Sequence, residues 1–328
     1  MKRALLIGIN DYPLGNELHG CLEDVSNLLT ALSRNGDGTK NFDVKALTDI
    51  QDSADAMQNI EQLFHDDADI ALFYFSGHGY IDANGGQLVF PDDLKKYAYD
   101  PTTKIGIQMS EIMDIANSSH VKNKIIILDC CHAGDIGKDY VDNTSHLAHG
   151  VSILTACREN ETAMELGGHG LFTELLVSAL QGGAADFGGN ITIGGIYAYI
   201  DRSLGAWSQR PIFKTNVSEF IPVKKVQPKV SLQVIRELTS LFDNPQKLFD
   251  LDPSFEDTNS LQVKHDIIEP YAKEENVAKF KLLQKLQSIG FVEPVGEEFM
   301  YYAAMKSKQC RLTTLGQHYW RLVHEDRI

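Results

Sequence analysis

Two short stretches of the chain combine residue types that do nucleophilic chemistry. One apolar run ends in Phe73-Tyr74-Phe75-Ser76-Gly77-His78-Gly79, which sets a histidine between two glycines. A second ends in Leu128-Asp129-Cys130-Cys131-His132-Ala133-Gly134, which sets a thiol 53 residues after His78. A cysteine of ordinary pKa is mostly thiol at neutral pH, and an imidazole beside it activates the sulfur or protonates a leaving amine. Glycines next to the histidine let backbone approach a substrate closely, and the N–H groups of Gly79 and Cys131 are candidates for holding an oxyanion.

Those groups meet only if the flanking runs are strands. Residues 4–9, 69–75, 124–128 and 151–154 are short, branched or aromatic, and stop at polar or Gly positions, the pattern of buried strands. Residues 22–32, 54–64, 110–116 and 171–180 carry apolar side chains at three- and four-residue spacing and predict crossover helices. The alternation implies an α/β sandwich with a mainly parallel sheet, in which active sites form at the carboxyl ends of strands. If the two motif strands are neighbours, His78 faces Cys131. Asp82-Ala83-Asn84-Gly85-Gly86 reads as a turn, and 135–150 as a loop long enough to be functional.

Pro222-Val223-Lys224-Lys225-Val226-Gln227-Pro228 reads as a linker, giving domains 1–222 and 230–328 joined by 223–229. The second domain is expected to hold helices at 231–242 and 276–289, a hairpin through Tyr301-Tyr302, and a last helix opened by Leu312-Thr313-Thr314-Leu315-Gly316. That order resembles a small, mostly helical winged-helix domain.

Composition bounds the function. The 328 residues carry 43% hydrophobic and 23% charged residues, ordinary for a globular protein. No apolar stretch approaches the ~20 residues that span a bilayer, and the short run after Lys2-Arg3 is expected to be neither a signal peptide nor an anchor. The formal charge of -15, of which -13 lies in the first 225 residues, repels phosphate and disfavours nucleic acid as a partner. Five cysteines, two of them adjacent, do not form a disulfide framework and suit a reducing cytoplasm. No Walker A, GxGxxG or GxSxG motif supports nucleotide hydrolysis or serine hydrolase chemistry.

The blocks around His78 and Cys131 resemble the catalytic motifs of caspase-like cysteine peptidases, specifically the metacaspase and bacterial caspase-homologue branch. The resemblance extends over about residues 1–220 and includes Leu5-Leu6-Ile7-Gly8-Ile9-Asn10-Asp11-Tyr12 and Thr155-Ala156-Cys157-Arg158. It implies a caspase-like three-layer sandwich, with Cys131 rather than Cys130 as nucleophile. It also implies an acidic pocket for a P1 Arg or Lys, built from Cys21, Asp24, Ser76 and Asp129. Animal caspases have Gln at the position of Asp129 and Arg at that of His132, so cleavage after Asp is not expected. Lys138 and the linker pair Lys224-Lys225 are candidate autoprocessing sites. Calcium serves some members of the branch; Asp92, Asp93 and Asp100 are the acidic candidates here, without an EF-hand pattern. Bacterial homologues fused to sensor modules act in anti-phage or conflict systems, which implies an activating partner or signal molecule for the C-terminal domain.

Structural readings stand beside these. Asp24 suits a helix first turn, Asp129 can tie a strand end to its loop, and Lys138, Lys224 and Lys225 can be plain solvated lysines. Cys130, Cys131, His132, His146 and His149 lack the CxxC spacing of a zinc site, so no metal is assigned. From a different class, a caspase-fold scaffold or pseudo-enzyme acting through its C-terminal domain is the alternative to a peptidase.

Overall fold

The computed structural model describes residues 1–328 except 83–84, 131–137, 140–143, 146, 157–164, 167–168, 206–209, 259–263, 265, 267 and 270; at 82, 138–139, 144–145, 165–166 and 169–170 it describes the backbone alone. The chain divides into two compact units, Met1–Gln227 and Pro228–Ile328.

Six strands form the central sheet of the first unit: β1 (Lys2–Gly8), β2 (Asp43–Thr48), β3 (Ile70–Ser76), β4 (Asn123–Asp129), β5 (Val151–Thr155) and β6 (Ile212–Asn216). Their order is β6-β5-β4-β3-β1-β2, and every pairing is parallel except β5 with β6. The unit also contains helices α1 (Cys21–Ser33), α2 (Ser53–His65), α3 (Pro91–Tyr99), α4 (Met109–Ser118), α5 (Leu171–Ser178), which continues as a π-helical turn over Ala179–Gly183, and α6 (Ile193–Ser203).

Strand periodicity sorts the core into two layers. Leu5, Ile7, Phe73, Phe75 and Ile126 pack with Ile60 of α2 and Ile112 of α4. Leu6, Leu72, Tyr74, Ile125 and Ile127 pack with Val25 of α1, Leu176 of α5 and Ile196 of α6. Buried on both faces, β3 and β4 contain no exposed position, which explains their nearly continuous apolar runs. The result is the expected three-layer sandwich with a mostly parallel sheet.

The chain runs from β1 outward to β2, then returns to lay β3 on the other side of β1. Doubly wound sheets open a crevice at such a switch point, beyond the carboxyl ends of the strands. There Gly8 pairs with Ser76, and Ser76 with Asp129, in one row across β1, β3 and β4. Gly8 lacks a side chain for a local reason: a Cβ would lie 2.5 Å from the Cys21 carbonyl oxygen, because the start of α1 presses on the end of β1.

Several elements differ from expectation. The edge strands β2 and β6 and helices α3 and α6 were not evident in the apolar pattern. Strands Gly79–Asp82 and Gly85–Val89, on either side of residues 83–84 where a turn was expected, pair antiparallel and extend to a third strand, Gly106–Gln108; 83–84 themselves lie outside the described residues. The 135–150 loop contains a two-residue antiparallel pairing, Lys138–Asp139 with Thr144–Ser145. The segment read as a linker is largely part of the first unit. Val223 is buried in its core, and Lys224–Lys225 pair antiparallel with Asn190–Ile191.

The second unit contains α7 (Leu232–Arg236), α8 (Leu238–Leu241), α9 (Glu274–Ser288), α10 (Met300–Met305) and α11 (Thr314–His324). Strands Phe249–Asp250, Gln309–Leu312 and Val292–Pro294 form an antiparallel sheet with Gln309–Leu312 in the middle. Trp320 of α11 is buried and donates its indole N–H to the Phe242 carbonyl at 2.6 Å. The hairpin expected through Tyr301-Tyr302 is not formed: both residues lie in α10, which connects the antiparallel pair Val292–Pro294 and Gln309–Leu312. The single helix expected at 231–242 is two, α7 and α8.

Candidate functional site

His78 follows the end of β3 by two residues and is held on both sides of its backbone. Its N–H donates to the Tyr12 hydroxyl at 3.0 Å, and its carbonyl accepts from the Val89 N–H at 3.0 Å. Tyr12 in turn donates to the Val89 carbonyl at 3.1 Å, which closes a cycle through the hairpin strand. The Tyr12 ring meets the imidazole edge-on, with centroids 4.5 Å apart. Gly77 leaves room for this hydroxyl, since a Cβ there would lie 2.5 Å from it. Burial raises the Tyr12 phenol well above its ordinary pKa, so it remains a neutral donor.

The imidazole itself is anchored by the same loop. Nε2 lies 2.7 Å from the Asn16 carbonyl oxygen. A carbonyl only accepts, so Nε2 carries the proton, and in the neutral ring Nδ1 is left with the lone pair. That is the arrangement a general base needs. Gly79, a candidate oxyanion donor, opens the hairpin strand opposite Leu88.

The four candidate pocket residues come from three elements. Cys21 and Asp24 occupy the first turn of α1, and both are buried. The Cys21 N–H donates to Asn10 Oδ1 at 3.0 Å, which gives the start of α1 a partner from the loop after β1. Ser76 ends β3 and donates its hydroxyl to Asp24 Oδ2 at 3.2 Å. Asp129 ends β4, paired with Ser76 in the ladder, and is 7% exposed. Asp129 Oδ2 accepts from the Thr173 hydroxyl of α5 at 2.7 Å. That bond uses Thr173's one proton, so at the 2.7 Å contact between Tyr74 and Thr173 the phenol is the donor. Burial, then the carboxylates of Asp129 and Asp24, push the Tyr74 phenol well above its usual value. Asp24, Ser76 and Asp129 are thus gathered around one buried tyrosine.

Cys131, the candidate nucleophile and second oxyanion donor, lies outside the described residues, as do His132 and His146. Its neighbour Cys130 is 1% exposed and packs in the core layer with α2 and α4. The side chain of Lys138 is also outside the described residues. Lys225 pairs with Asn190, and its N–H donates to Asn35 Oδ1 at 3.0 Å. Lys224 is buried with Nζ 2.6 Å from the Ala31 carbonyl, and burial lowers its pKa. Of the acidic residues considered for calcium, Asp92 and Asp93 pair with Lys95 and Lys96, and Asp100 accepts from Thr102. His149 Nε2 lies 3.1 Å from the Ser218 hydroxyl. Tyr12, Asn16, Tyr74 and Thr173 were not singled out from sequence. Tyr12 closes the opening block Leu5 to Tyr12 and Tyr74 lies in the run before His78, but neither was given a role there.

The structure thus places a histidine and two buried carboxylates at the switch point of a doubly wound sheet, where α/β folds bind their ligands. Residues 1–231 match the caspase domain of the C14 peptidases, and the chain belongs to that family of cysteine peptidases. Among curated proteins it is similar to metacaspase-1 of Botryotinia fuckeliana, 31% identical over 150 residues that make up 40% of this chain and 34% of that one. It is also similar to metacaspase-1 of Mycosarcoma maydis, 37% identical over 87 residues, 24% of this chain and 21% of that one. The chain thus spans about a third or less of the length of these relatives. Among solved structures, caspase-1 of Spodoptera frugiperda covers 69% of this chain and 90% of its own at 16% identity, with a TM-score of 0.45.

Proposed function

We propose that the protein is a cysteine endopeptidase that cleaves after Arg or Lys, with Cys131 as nucleophile and His78 as its base. The observation that carries this reading is the register of Ser76 with Asp129 on adjacent parallel strands. His78 and Cys131 each follow one of that pair by two residues. Asp24, bonded to Ser76, adds the second carboxylate beside them.

In this mechanism the Cys131 thiol gives its proton to His78 Nδ1 while Sγ bonds to the scissile carbonyl carbon. The carbonyl oxygen becomes an oxyanion, with the N–H groups of Gly79 and Cys131 as its donors. Collapse breaks the C–N bond, and the amine leaves with the proton from Nδ1. Water then adds to the thioester, giving a proton to Nδ1; the C–S bond breaks, and that proton returns to sulfur. Asn16 keeps Nε2 protonated throughout and so holds the required tautomer. Asp24 and Asp129, with Cys21 and Ser76, receive the cationic P1 side chain.

The second unit belongs to this reading as a winged-helix-like sensor, taking an activating partner or signal molecule in a cytoplasmic anti-phage or conflict response. Its helices around a three-stranded antiparallel sheet support that assignment. Self-cleavage at Lys138 or Lys225 is the regulation the reading carries, and Lys225 must first leave its pairing with Asn190.

Matched fluorogenic peptides ending in Arg, Lys or Asp test the proposal, with wild type and Cys131→Ala, with and without calcium and a lysate of infected cells. Arg and Lys peptides should be cleaved by wild type only. Cleavage that survives in Cys131→Ala, or turnover of the Asp peptide alone, refutes it.

A further inference from the structure

The hydroxyl groups of Thr173 and Tyr74 form a buried chain that ends on a pocket carboxylate. Tyr74 is fully buried and Thr173 is 1% exposed, and the protons run from Tyr74 to Thr173 to Asp129 through two contacts of 2.7 Å. Three different elements meet in this chain: β3 supplies Tyr74, β4 supplies Asp129, and α5 supplies Thr173. Ser76 makes the matching bond to Asp24, so Oδ2 of each pocket carboxylate is held by a hydroxyl.

A terminal carboxylate torsion is broad and roughly twofold when nothing fixes it. A hydroxyl bonded to one oxygen fixes the plane. The plane matters to a guanidinium, whose rigid fork donates two parallel hydrogen bonds, and much less to an ammonium, which is a point charge with rotatable donors. A carboxylate held in one orientation therefore discriminates between the two basic side chains.

We propose that Thr173 and Tyr74 are positioning residues that set the Asp129 carboxylate for a guanidinium, making the protein select Arg over Lys. This rests on the reading of Asp24 and Asp129 as the P1 pocket. The phenol keeps the Thr173 hydroxyl turned toward Asp129, because a donor on one side of that oxygen directs its single proton to the other. Neither residue touches substrate, and each acts through Asp129.

Binding of agmatine, a guanidinium probe, and cadaverine, an ammonium probe, to the full-length protein by titration calorimetry tests the proposal without requiring cleavage. Wild type should bind agmatine more tightly. Thr173→Val keeps shape but removes the donor, and loss of one charge-assisted hydrogen bond should weaken agmatine by about tenfold or more while weakening cadaverine less. Thr173→Ser, which keeps the hydroxyl, should restore the wild-type ratio. Tyr74→Phe should move the ratio in the same direction, and it carries the test if Thr173→Val does not fold. With Arg and Lys peptides the same loss should appear in KM and in the Arg-to-Lys ratio. An unchanged ratio in folded Thr173→Val and Tyr74→Phe overturns this proposal alone. A wild type that binds neither probe overturns it together with the basic pocket.

Discussion

Replacing Tyr12 by Phe removes one oxygen from the cycle that fixes His78. That oxygen accepts from the His78 N–H at 3.0 Å and donates to the Val89 carbonyl at 3.1 Å, in a residue only 1% exposed. The ring and its edge contact with the imidazole remain, so the loss is confined to two hydrogen bonds. Leaving a buried donor or acceptor unpaired costs about 1–3 kcal/mol. The sum is about 2–4 kcal/mol, taking the lower half of the range because His78 itself is partly exposed. At roughly 2–4 °C per kcal/mol for a unit of this size, the thermal transition of Met1–Gln227 should fall by about 5–15 °C. Activity should fall as well, because misplacing a catalytic group by about 1 Å costs up to ~100-fold. Asn16 still holds Nε2, so we expect a drop in kcat of at least about tenfold, with the histidine tautomer unchanged. The pH dependence has a definite sign. The phenol pKa is raised on folding, so its contribution is fully present below the unfolded value of about 10 and is lost as pH rises past it. The stability gap between wild type and Tyr12→Phe should therefore be flat from about pH 6 to 9 and narrow above 10. Calorimetry across pH and steady-state kinetics with an Arg peptide measure both effects. A variant that melts and turns over like wild type would refute the role of this hydroxyl.

Gly8→Ala inserts a Cβ 2.5 Å from the Cys21 carbonyl oxygen and 2.7 Å from Val25 Cγ2. Overpacking of this kind costs about 1–3 kcal/mol. Relief requires the first turn of α1 to move with Cys21 and Asp24, so KM for Arg peptides should rise alongside a lower melting temperature; a raised melting temperature with unaltered KM would contradict this packing. In the second unit, burial pushes the Cys310 thiol up to about 12. The thiolate fraction at pH 8 is then about 10⁻⁴, and Cys310 should resist a disulfide reagent in the folded protein but react in denaturant, as peptide mapping of the labelled cysteines would report. Rapid labelling of Cys310 under native conditions would show that it is not enclosed.

The parts of the site that were legible in sequence are those whose signal is local. β3 and β4 are buried on both faces, so their apolar runs are unbroken until the polar residues at their ends, and those residues are Ser76 and Asp129. Edge strand β2 pairs with β1 alone among the described residues, and its exposed Asp43, Lys45 and Ala46 erase the apolar pattern. Tyr301-Tyr302 read as a hairpin because aromatic pairs favour strands, but there the tertiary context closes a helical turn between the two strands. The groups that orient the site are less visible still. Tyr12 reaches His78 across 66 residues of sequence and Thr173 reaches Asp129 across 44, and neither contact leaves a periodicity. Tyr74 shows why such contacts go unread: its position on β3 is that of any core aromatic, and its ring does pack in that layer. It faces the opposite layer from Phe73 and Phe75 and alone of the three carries a hydroxyl, and that hydroxyl finds its partner on α5, an element placed by the fold rather than by any neighbour in the chain.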